Sequence, residues 1–127
     1  MTLEEMKEAG THPYPDHGRA QIFHATVTAL RTLGYQVVVA DSGNGKIKTA
    51  PKLVTAVAHG NAYSAVATEN SVAWNVHIVP SSKGAVLHAE PRGYSGGQAV
   101  DPTRMNASYM ERLFATLYQE IDNNLSN

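Results

Sequence analysis

The period of apolar positions changes along this chain, and each change marks an element. From about His17 to Leu33, Ala20, Phe23, Val27 and Leu30 recur at steps of three and four, with Ile22, Ala25, Ala29 and Leu33 as an adjacent stripe. Such a wide apolar face predicts a helix lying flat on a core. Asp16 is placed to cap its start, and Gly34 to end it in a left-handed turn.

The period then shortens to two. A β-branched run, Tyr35 to Ala40, is followed by the turn cluster Asp41-Ser42-Gly43-Asn44-Gly45 and the alternating run Lys46 to Ala50, which together predict a β-hairpin. Pro51 is expected to end its second strand or mark a sheet edge. Leu53 to Asn70 favours strand, because Val54, Ala56 and Ala58 alternate with Thr55, Val57 and His59. His59-Gly60-Asn61 marks a break in it.

The sharpest alternation runs from Val72 to Val79. Val72, Trp74, Val76 and Ile78 fall on one face, and Ala73, Asn75, His77 and Val79 on the other. After a turn at Pro80 to Gly84, Ala85 to Glu90 returns with Leu87 and Ala89 on the apolar side. Pairing Ile78 with Ala85 and Val76 with Leu87 brings the apolar sets together.

Pro91 to Val100 reads as a loop. A terminal helix then starts at Asp101-Pro102 or a turn later at Asn106, with Met110, Leu113, Phe114, Leu117 and Ile121 on one stripe. Residues 1–16 read as an N-terminal tail: a short helix ending at Gly10, then extended chain imposed by Pro13 and Pro15. Residues 17–127 form one domain. Helix, hairpin, further hairpin, helix is an α+β order, predicting an antiparallel sheet of about four to five strands packed against an N-terminal and a C-terminal helix.

Composition narrows the functional classes. The 127 residues are 43% hydrophobic and 17% charged, which suits one globular domain rather than a disordered chain. A formal charge of −1 supplies no field to gather nucleic acid or an anionic membrane. Between Tyr35 and Val100 five basic side chains face three acidic ones, and a surplus of two reads as solvated surface. With no cysteine, thiol nucleophiles, thiolate metal sites and disulfides are excluded. No run approaches the roughly 20 apolar residues of a membrane-spanning helix.

Chemistry has few places to reside. His12, His17, His24, His59, His77 and His88 lack the spacing of a zinc site, so no metal and no cofactor is expected. Ser42-Gly43-Asn44-Gly45-Lys46 has Ala40 and Ile47 where a phosphate-binding loop needs glycine and a hydroxyl residue. Tyr63, Trp74, Lys46 and Lys48 could build a stacking platform for single strands, but Trp74 shares parity with the core, so no nucleic-acid partner is expected. The sharper cluster is Asn75, His77, His88 and Glu90 on the polar face of the second hairpin, with Asn75 opposite His88 and His77 diagonal to it. A histidine beside a carboxylate can serve acid–base chemistry, whereas polar residues are also what the wet face of a one-sided sheet requires. No catalytic residue is assigned.

One stretch resembles a known family. Phe23 to Val38, ending its helix in Leu33-Gly34-Tyr35, is followed by Asp41 and then Gly45-Lys46-Ile47-Lys48-Thr49. This is similar to small bacterial cell-envelope lipoprotein domains such as the lipoprotein C component of the outer-membrane β-barrel assembly machinery. The resemblance covers about residues 17 to 125, with Tyr109 to Leu125 as the closing helix, and implies a helix-grip layout. It also implies a non-catalytic envelope protein that binds another envelope protein or acts as a structural accessory. A periplasmic or outer-membrane-associated place follows if an upstream signal has been removed, since no lipobox cysteine is present; otherwise the place is cytoplasmic. Two alternatives stand beside it. One is a carrier of a small apolar ligand, held between sheet and terminal helix by Trp74, Phe114 and Leu117. The other is a metal-assisted or His/Glu acid–base enzyme using His77, His88 and Glu90.

Overall fold

The computed structural model describes residues 1–59 and 66–126. Its elements run α1 (Leu3–Ala9), β1 (Thr11–Tyr14), α2 (Arg19–Thr32), β2 (Val37–Asp41), β3 (Lys46–Thr49), β4 (Lys52–His59), β5 (Val66–Ser81), β6 (Gly84–Ser95), β7 (Gln98–Ala99), a 3₁₀ turn (Pro102–Arg104) and α3 (Ala107–Leu125). The α+β expectation holds: a seven-stranded antiparallel sheet in the order β1-β6-β5-β3-β2, with β4 also on β5 and β7 also on β6, packs against α2 and α3. Gly60 and Asn61 of the expected break, and Tyr63, lie outside the described residues.

Alternation along the strands makes the sheet two-faced. Ile47, Trp74, Val76, Ile78, Leu87 and Ala89 join Ile22, Phe23, Ala29 and Leu30 of α2 and Met110, Phe114, Leu117 and Ile121 of α3 in one buried cluster. Trp74 is 2% exposed, and its ring meets Phe114 edge-on at 5.6 Å. The parity assigned from sequence is therefore the parity found.

The second hairpin corrects the expected register. Ile78 lies opposite Leu87 and Val76 opposite Ala89, two residues beyond the pairing expected. The reason is the turn. Ser81 pairs with Gly84, leaving a two-residue loop at Ser82-Lys83 where a longer one was assumed. A shift of two preserves the faces but extends the ladder out to Asn70 and Ser95. Proline misled here, because Pro80 lies within β5. Ile78 N–H reaches the Gly45 carbonyl at 2.7 Å, so two residues on, on that same side, β3 has already ended and no donor is required.

The same alternation explains why Pro91 to Val100 is not a loop. Ala89 N–H bonds the Gly10 carbonyl at 2.7 Å on the outer side of β6, so Pro91 falls in the gap between β1 and β7, where its missing donor harms nothing. Gly96 and Gly97, at φ 58° and 85°, then make the tight turn into β7.

At the N-terminus, the stretch expected to be a tail carries α1 and β1. β1 pairs with β6 from Thr11–His88 to Tyr14–Ala85, and Met6 and Tyr14 are buried. Tyr118 of α3 donates to the Ala9 carbonyl and ties α1 down. Asp16 does not cap α2. Gly18 occupies the cap, with no side-chain bond, and Arg19 starts the helix. Both candidate starts of the last helix are used: Asp101 caps the 3₁₀ turn through Thr103 N–H, and Asn106 caps α3 through Tyr109 N–H.

The corner at Ala50-Pro51 interrupts the ladder beside β5. Lys48 pairs with Asn75 and Lys52 with Val72, which strands the Trp74 N–H between them. The buried Thr49 hydroxyl accepts it at 2.9 Å. Thr49→Val keeps the volume but removes that acceptor, so a loss of about 1–3 kcal/mol is expected in urea unfolding.

Candidate functional site

The face of the sheet opposite the helices carries the polar cluster expected from sequence. Asp41, Lys46, His77, His88 and Thr11 form one cross-strand row through β2, β3, β5, β6 and β1. Lys48, Asn75 and Glu90 form the next. With the corrected register His77 faces His88 directly, and Asn75 faces Glu90. All four members of the cluster are thus brought together, in new pairs.

α1 turns this flat face into a cleft. Leu3, Met6 and Lys7 of α1 wall a space of about 390 Å³ whose sheet side carries Thr11, Asn75, His77, His88 and Glu90. The hydrogen bonds in it are directional. Thr11 donates its one hydroxyl proton to the Lys7 carbonyl at 2.7 Å, so its 3.3 Å contact with His88 is made by an Nδ1–H donor. That leaves Nε2 of His88 as the ring nitrogen available to a ligand. Glu90 faces Arg92 at 3.5 Å, and no histidine is within ion-pair distance of its carboxylate among the described residues. At the end of the row, the Asn44 side-chain and backbone N–H groups hold the Asp41 carboxyl below the usual carboxylate range.

No group of three or more histidine or carboxylate side chains converges on a point among the described residues. His12 stacks on Tyr14 at 4.5 Å and lies 4.6 Å from the Tyr118 ring. Burial pushes the hydroxyls of both tyrosines well above the ordinary tyrosine range, and for Tyr14 the charge of Asp122 adds to it.

Trp74, Phe114 and Leu117 come together as expected, but as core: Phe114 is 3% exposed and Leu117 fully buried. Trp74 in addition borders a second cleft, with Tyr35, Lys52, Tyr109 and Arg112. None of those four was legible as a site residue. They come from the ends of separate elements, so no single period joins them. Lys7 and Thr11 were missed because their segment reads as a tail.

No family model matches this chain, and no curated protein does. Among solved structures it is similar to a DUF4468 family protein from Bacteroides ovatus, at 12% identity and a TM-score of 0.40, over 91% of this chain and 81% of that one. No helix among the described residues is long and apolar enough to cross a membrane.

Proposed function

We propose that this chain is a non-catalytic binding domain of the bacterial cell envelope, which holds an acidic, extended segment of a partner protein on the open face of its sheet. The envelope setting is supported by the resemblance of the helix-to-hairpin segment, Phe23 to Thr49. The binding role is carried by one observation: the exposed strand cations Lys46, Lys48 and Arg92, with Lys7 of α1 at the rim of the cleft, share the face that α2 and α3 leave uncovered. Along the chain these charges look diluted; the sheet gathers them.

An acidic strand-like segment complements that face. It presents carboxylates every second residue, matching the spacing of Lys46 and Lys48. Asn75, His77 and the Nε2 of His88 offer hydrogen bonds between those charges. Glu90 and Asp41 temper the field, but Glu90 is turned to Arg92 and Asp41 is held by Asn44. The same arrangement weighs against His/Glu acid–base chemistry, since Glu90 is turned to Arg92 and neither His77 nor His88 lies within ion-pair distance of it.

The test is fluorescence anisotropy with a labelled peptide alternating glutamate and valine, beside its lysine-for-glutamate counterpart. Saturable binding of the acidic peptide below about 1 mM is expected, weakening as salt shortens the screening length. The double variant Lys46→Glu, Lys48→Glu is expected to weaken it at least about tenfold at low salt. Equal binding of both peptides, or an unchanged affinity in the double variant, refutes the assignment.

A further inference from the structure

His77 of β5 and His88 of β6 lie directly opposite each other on the open face, both exposed. Lys46 of β3 flanks His77 in the same row, and Thr11 of β1 flanks His88. Asp41 ends that row beyond Lys46, and Lys48, Asn75 and Glu90 make the next one. From α1, Lys7 reaches the same space, beside the apolar Leu3 and Met6. The carboxylates of α1, on Glu4, Glu5 and Glu8, border a separate space with Thr2.

Hydrogen-bond polarity gives the histidine pair its direction. Because Thr11 accepts from the Nδ1–H of His88, neutral His88 carries its lone pair at Nε2. A carboxylate is also an acceptor, so the two repel. One proton at Nε2 turns that atom into a charged donor and leaves the Thr11 contact intact. Imidazole makes this exchange between about pH 8 and pH 5, where neither lysine nor an ordinary glutamate changes charge much.

A proton on each ring sets two like charges face to face across the ladder, with Lys46 alongside, and that is unfavourable. No carboxylate of the protein is placed to offset it. Glu90 is turned to Arg92 at 3.5 Å, and Asp41 is held by Asn44. The missing counter-charge has to come from outside.

We propose that His77 and His88 form a pH-dependent clasp, which grips the acidic segment when protonated and releases it as the protons leave. This regulation presupposes the acidic partner proposed above for the same face. A carboxylate seated between the two rings favours their charged forms, so binding takes up protons. The effect is therefore fully present at pH values below the titration of the free pair and is lost as pH rises through that of the complex.

The experiment is an anisotropy titration with the alternating glutamate–valine peptide at pH 8 and pH 6, at one fixed low salt concentration. The glutamates titrate near about 4.3, so the peptide keeps its charge over this range. A Kd about tenfold smaller at pH 6 is expected. Calorimetry at pH 7 in two buffers of different ionisation enthalpy counts the protons directly, and uptake of about 0.5–1 per peptide is expected. In the double variant His77→Gln, His88→Gln, the ratio of the two Kd values should fall to within about twofold of unity, whatever the affinity itself becomes. His12, His17, His24 and His59 remain in that variant, so a ratio like that of the unmodified protein overturns the clasp. Salt-dependent binding that is equal at both pH values, or that takes up no proton, also overturns it while leaving the acidic partner standing. Absence of binding at both pH values removes the clasp and the partner together.

Discussion

Gly45→Ala is expected to destabilise the domain by about 3–5 kcal/mol, from two effects that act together. Gly45 has φ 68°, a conformation that strains any residue with a Cβ. A Cβ built there would also lie 2.2 Å from the Ile78 carbonyl oxygen, which no real contact tolerates. Relief requires β3 and β5 to move apart, and that stretches the 2.7 Å bond from Ile78 N–H to the Gly45 carbonyl. Gly43→Ala is the matched control. Its added methyl group meets only the Asp41 carboxylate at 3.5 Å, and its φ is not left-handed. The urea midpoint should fall steeply for the first variant and by less than about 1 kcal/mol equivalent for the second.

Trp74→Ala carries the other large effect, again about 3–5 kcal/mol. The ring fills the space between β5 and α3, and its removal leaves a cavity beside Phe114 that the β5–β6 ladder keeps from collapsing. Against a total stability of about 5–15 kcal/mol, that leaves little margin. Circular dichroism is the suitable probe, because the variant has no tryptophan to fluoresce. Three residues away on the opposite face, His77→Ala should shift stability by no more than about 0.5 kcal/mol. A comparable loss at both positions would contradict the two-faced sheet.

Much of the architecture was legible because burial writes itself into period. The parity of Val72 to Ile78, the stripe from Phe23 to Leu30 and the stripe from Met110 to Ile121 all face the core as read. What escaped was set by backbone partners that no local pattern contains. Pro80 and Pro91 look like strand breakers, yet each sits where the neighbouring strand has stopped. Their tolerance depends on topology, and so did the register and the extent of β6. β1 was hidden for a similar reason: Thr11 to Tyr14 has too few residues to alternate visibly, and its place is fixed by pairing with β6. Gly96-Gly97 was a turn signal in plain sight, overlooked because Pro91 had already suggested a loop.

The candidate site divides along the same line. Asn75, His77, His88 and Glu90 were found from alternation alone, since one face of one hairpin carries them. Their neighbours across the sheet, Lys46 and Lys48 on β3 and Thr11 on β1, needed the strand order before they could be joined to them. The Trp74 cleft was beyond pattern. Its cations, Lys52 and Arg112, belong to β4 and α3, which no single period joins.

The most direct measurement on the binding face is a backbone ¹H–¹⁵N chemical-shift map with the alternating glutamate–valine peptide. Saturable shifts should concentrate on Lys46, Lys48, Asn75, His77, His88 and Arg92, with Lys7 and Thr11 at the margin, while α2 and α3 stay still. Shifts centred on the helices, or none at peptide concentrations near 1 mM, would contradict the assignment of this face.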